Sequence, residues 1–94
     1  MPGGKRRKQS PRQRNPKVDG PDPVDVYVGD RIRQMRTLRG ITQKELAGNI
    51  GVKFQQLQKY ERGANRVSVS RLVMVAKTFD VPCSDILGIY EQRR

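Results

Sequence analysis

The chain has no histidine, no tryptophan and a single cysteine, Cys83, and only 5% of its 94 residues are aromatic. One thiol cannot form an intramolecular disulfide, and without histidine the usual Cys/His zinc spacings are missing, so the expectation is a reducing compartment and no metal. Long apolar runs are missing too. None approaches the ~20 residues of a membrane span, and the N-terminus has charge without the apolar stretch of a secretory signal, which predicts a cytoplasmic chain that contacts no membrane. No nucleophile stands beside an evident base, no phosphate-binding loop is present, and the chain is too short to build a deep pocket. These gaps argue against an enzyme, a cofactor or a small-molecule substrate. The scarcity of stacking aromatics, and the lack of the glycine loop used by common RNA modules, also argue against RNA as the partner.

Positive charge is what the chain has in excess. Twenty Lys and Arg oppose nine Asp and Glu, a net charge of +11, which favours a polyanionic partner. Residues 1–25 carry seven basic and three acidic side chains, leaving thirteen basic against six acidic for residues 26–94, so the remainder is basic in its own right. Five of the six prolines lie in residues 1–23, together with Lys5-Arg6-Arg7-Lys8 and, after Met1, only Val18 as an aliphatic residue. Such a segment buries too little apolar area to offset its ordering entropy, so residues 1–24 are expected to be a disordered basic tail and residues 25–94 one folded domain. The Lys5–Lys8 cluster reads either as a solvated tail or as an arm that assists binding electrostatically.

The folded part reads as helices throughout. Asp25 is a candidate N-cap for a first helix in which Val28, Ile32 and Met35 share a face, ending at about Arg39 with Gly40 beyond it. Thr42-Gln43-Lys44-Glu45 has the form of a capping box and opens a second, with Leu46, Ala47 and Ile50 inward and Gly51 in the turn. Val52 reads as the plug of that turn. A third helix, from about Lys53 to Glu61, turns Leu57 and Tyr60 inward before Gly63. Ser68 offers a cap for a fourth with Val69, Leu72, Val73, Ala76 and Phe79 at helical spacing, and Pro82 suits the start of a fifth bearing Ile86, Leu87 and Ile89. Two short helices around a glycine turn, with a small residue (Ala47) at their crossing, form the arrangement that sets a reading helix into the DNA major groove.

Thr42-Gln43-Lys44-Glu45-Leu46-Ala47, then Gly51-Val52, then Tyr60-Glu61-Arg62-Gly63 resembles the helix-turn-helix signature of the lambdoid phage repressor and Cro family. Val81-Pro82-Cys83-Ser84-Asp85-Ile86-Leu87 is similar to that family's last helices, so the resemblance runs from about Val28 to Leu87. It implies a compact five-helix repressor-like DNA-binding domain and a sequence-specific regulator, a repressor, that binds a near-palindromic operator on double-stranded DNA as a homodimer. The alternative it leaves is an antitoxin-type module that neutralises a toxin protein and represses its own operon.

Carried over residue by residue, the resemblance gives Gln43 a DNA-backbone contact and the support of a reading side chain, and makes Phe54, Gln55 and Lys59 the reading positions, with Gln56 beside them. Lys53 and Arg62 are placed for phosphates. Chemically, Gln bonds adenine N6 and N7, Lys the guanine acceptors, and Phe packs on a thymine methyl. Arg66, with Asn65, reads equally as a phosphate contact or a polar turn. The resemblance also implies a partly buried Arg36–Glu61 ion pair. Arg31, Arg33 and Arg39 read as solubilising charge and Cys83 as packing, while Ile86, Ile89 and Tyr90 either pair two copies or complete the core of one.

Overall fold

The computed structural model describes residues 22–92, and the side chains of residues 22–88. The expected tail therefore lies almost wholly outside the described residues, as do the side chains of Ile89 and Tyr90. Among the described residues there are five helices and no strand: α1 (Pro23–Leu38), α2 (Gln43–Ile50), α3 (Phe54–Glu61), α4 (Val69–Phe79) and α5 (Cys83–Gln92). This is the all-α five-helix architecture expected from the sequence.

The start of α1 corrects the expected cap. Asp22, not Asp25, is the N-cap, its carboxylate accepting a hydrogen bond from the Val24 N–H at 2.8 Å. Pro23 occupies the first helical position, where its missing N–H costs nothing and its fixed φ suits the helix. Asp25 falls in the first turn, where a carboxylate favours the positive end of the helix dipole. The α2 start is as expected: Thr42 Oγ1 accepts from the Glu45 N–H at 3.0 Å, and Glu45 Oε1 accepts from the Thr42 N–H at 2.8 Å.

The core is built from one face of each helix. Val28, Ile32 and Met35 of α1 meet Leu46, Ala47 and Ile50 of α2, Leu57 and Tyr60 of α3, Val75, Ala76 and Phe79 of α4, and Ile86 of α5. Ile86 thus completes the core of one copy. Cys83 packs half-buried against the cluster, as does Val52 below the turn.

On α4 Ala76 and Phe79 are buried and Leu72 packs against the core as expected, but the rest of the buried face differs. Val69 is 79% exposed and Val73 also faces solvent, while Val75 is fully buried. The run Val-Met-Val at 73–75 gives aliphatic residues on several faces, so spacing alone cannot choose the inward one. Two of the arginines expected to be solubilising are structural. Arg31 Nη2 donates to the Asp85 carbonyl at 2.8 Å, tying α1 to α5. Arg39 donates to the carbonyls of Met35 and Phe79 and lies 5.1 Å from the Phe79 ring centroid, a cation–π contact that closes α1 onto α4. Arg33 remains exposed, and its ion pair among the described residues is with Asp30.

Close approach between α1 and α3 depends on two glycines. A Cβ at Gly29 would collide with the Tyr60 carbonyl oxygen, and one at Gly63, whose φ is +75°, would lie 2.6 Å from Val26 Cα. Both positions need a residue without a side chain, and Gly63 needs one that tolerates positive φ as well.

Candidate nucleic-acid interface

The turn between α2 and α3 is built from backbone conformation and one small contact. Gly51 takes the left-handed conformation, φ 73°, that lets the Gly51 and Val52 N–H groups close onto the carbonyls of the last α2 turn; Val52 bonds the Ala47 oxygen at 3.0 Å. Ala47, Ile50 and Leu57 are buried beneath it, fixing α3 against α2 by apolar contact.

With Leu57 and Tyr60 held inside, the opposite side of α3 faces out. Gln55, Lys59 and Arg62 are exposed, as is Lys53 at the N-cap, while Phe54 and Gln56 are half-buried. Positions 55, 59 and 62 follow one another at four and three residues and so lie along one stripe of the helix. The Lys53 side chain makes no capping bond, so the first amide groups of α3 have no side-chain acceptor there.

The charges around this stripe are sorted. Both acidic residues of the two-helix unit are occupied, Glu45 in the capping box and Glu61 with Arg36. No ion-pair partner for Lys53, Lys59 or Arg62 is found among the described residues. The exposed side is therefore a cationic surface carrying uncharged amide groups, suited chemically to phosphates and base edges.

Behind that surface the expected ion pair is present and is more connected than expected. Arg36 Nε donates to Glu61 Oε2 at 2.6 Å and Nη2 to Oε1 at 3.1 Å, with side-chain exposures of 14% and 2%. Arg36 Nη1 also reaches the Ile41 carbonyl at 2.9 Å, joining the end of α1, the α1–α2 loop and the end of α3. Gln43 Nε2 donates to the same Glu61 Oε1 at 2.9 Å.

The remaining expected positions lie apart from the stripe. Gln56 Oε1 accepts from Asn65 Nδ2 at 3.4 Å, a long contact between α3 and the following loop. Arg66 is 64% exposed and engages Asp25 at 3.1 Å and Asp22 at 3.8 Å, at the opening of α1. Sequence reasoning missed the Gln43–Glu61 bond, the Asp22-Pro23 cap and the Gly29 contact. Asp-Pro before an apolar-periodic stretch was a legible signal for the cap; the other two depend on where α3 comes to rest against α1 and α2.

The sequence profile of the family described as Helix-turn-helix matches residues 32–86, the stretch that holds α2, the glycine turn and α3. The chain belongs to this helix-turn-helix family. An HTH-type transcriptional regulator of Sinorhizobium medicae strain WSM419 is 48% identical over 64 residues, 68% of this chain and 46% of the relative. The chain spans about half the length of the curated relatives it matches. Among solved structures, the restriction-modification controller protein C.AhdI of Aeromonas hydrophila superposes with a TM-score of 0.63 at 29% identity, over 66% of this chain and 94% of that one. SinR, the master regulator for biofilm formation, solved in complex with DNA, gives 0.59 at 33% identity over 64% of this chain and 97% of that one. The helix-turn-helix of this chain is thus the DNA-binding fold of a transcription-regulator family. Among the described residues, no helix is long and apolar enough to cross a membrane.

Proposed function

We propose that this protein is a sequence-specific transcription regulator, a repressor, that binds a near-palindromic operator in double-stranded DNA as a homodimer with one α3 in the major groove of each half-site. The observation that carries the reading is the two-sidedness of α3: Leu57 and Tyr60 anchor it, the Arg36–Glu61 pair pins its end, and Lys53, Gln55, Lys59 and Arg62 stand exposed outside. A short helix held this rigidly presents side chains in a fixed register, which reading base edges requires. The solved complex of the similar SinR with DNA supports the same use of the fold.

In this reading Gln55 and Lys59 read base edges, Phe54 packs on a thymine methyl with Gln56 beside it, and Gln43, Lys53 and Arg62 hold the backbone. Arg66 reaches phosphate by releasing its exposed contacts to Asp25 and Asp22, an exchange of weak surface pairs for a stronger polyanion. Selection of bound sequences from a random duplex pool tests the proposal. It should enrich an inverted repeat; recovery of no common sequence, or equal affinity for duplex RNA, overturns it.

A further inference from the structure

Gln43 opens α2, and its amide is held by a residue of another helix. Its Nε2 donates to Glu61 Oε1 at 2.9 Å, and Glu61 is itself locked by two hydrogen bonds from Arg36 and almost wholly removed from solvent, its side chain 2% exposed. A carboxylate paired with a guanidinium offers only acceptors, so the Gln43 group that faces it must be the NH2. The chemistry therefore settles which end of the amide is which, a distinction an isolated glutamine does not make. One N–H of Gln43 is spent on Glu61. The other N–H and Oε1 remain, and among the described residues Oε1 has no hydrogen-bond partner.

We propose that Glu61 is a positioning residue for DNA binding: through the Arg36–Glu61 pair it fixes the orientation of the Gln43 amide, so that Gln43 meets the DNA backbone with its remaining N–H as a donor. A rotated amide would present a carbonyl oxygen to a phosphate oxygen, acceptor against acceptor. The inference rests on the DNA-binding reading. It adds a role to Glu61, which lies beneath the interface and whose burial otherwise suggests a purely structural part.

The test is a double-mutant cycle on the full chain with a duplex recovered by selection, using E61Q, Q43A and the double variant, with far-UV circular dichroism and thermal melts to follow folding. Q43A should weaken binding roughly 2- to 10-fold, the range for one net hydrogen bond. E61Q should weaken it by a similar factor in the wild-type background and have little further effect on binding in the Q43A background, even though it lowers the melting temperature in both. Equal, additive losses in both backgrounds overturn the positioning role and leave the DNA-binding reading standing. A wild-type chain that binds no duplex overturns both.

Should E61Q fail to fold, nuclear magnetic resonance of the free wild-type chain decides the first step. A coupling across the hydrogen bond between Gln43 Nε2 and Glu61 Cδ, with hindered rotation of the Gln43 side chain, is expected. A freely averaging Gln43 amide overturns the proposal.

Discussion

Exposed side chains of α3 differ in what they are equipped to do, and the difference is measurable. Gln55 and Lys59 carry groups that match particular base edges, so Ala at either position should cost about 1–3 kcal/mol on the selected sequence and much less on unrelated DNA. Lys53 and Arg62 carry charge beside those positions. Their replacement by Ala should weaken binding to all sequences alike and lower the slope of log affinity against log salt by about 1 each. Titrations on selected and scrambled duplexes at several salt concentrations separate the two groups. Equal losses on both duplexes for Gln55→Ala would remove it from the reading set. Which side of α3 faces out was legible in the sequence, because the spacing of Leu57 and Tyr60 fixes the inward side. The grip of Glu61 on Gln43 was not, because it joins residues from two helices whose distance only the packed structure sets.

At the scale of the helices, α2 is short and depends on its ends. Thr42→Ala removes one of the two bonds of the capping box, that from the Glu45 N–H to Thr42 Oγ1, and should lower stability by about 1 kcal/mol in denaturant unfolding. The α1–α3 contact is less forgiving. Gly29→Ala places a methyl group on the Tyr60 carbonyl, so α3 must shift or the chain must lose stability by roughly 1–3 kcal/mol, the usual cost of overpacking. Because α3 carries the proposed reading residues, the same change should reduce DNA affinity more than Thr42→Ala does, a comparison best made well below both melting temperatures. Helix existence and order could be read from capping residues, glycines and apolar spacing. The inward face of α4 could not, since Val69, Val73 and Val75 are chemically equivalent and only packing in the assembled core selects Val75. The structural roles of Arg31 and Arg39 are hidden from local sequence for a similar reason: their guanidinium groups bond carbonyl oxygens of residues distant in the chain.

For the molecule as a whole, the basic surplus and the fixed α3 make different contributions. Charge supplies a sequence-independent attraction that falls with salt, whereas the helix-turn-helix supplies register. Two copies on one operator should protect half-sites about one helical turn apart, ~34 Å centre to centre. Hydroxyl-radical footprinting on the selected duplex should show a two-fold pattern, and an asymmetric footprint would count against the homodimer.

The glycine contact between α1 and α3 also bears on how much spacing variation an operator can have. With no side chain at position 29 and backbone against backbone, α3 has little freedom to swivel relative to the rest of the domain. Each copy then behaves as a rigid die with its stamp at a set angle. An operator whose half-sites are moved apart by one base pair cannot be met by flexing α3. In the proposed homodimer the misfit would pass to the contact between the two copies, and that contact would set the tolerance for spacing.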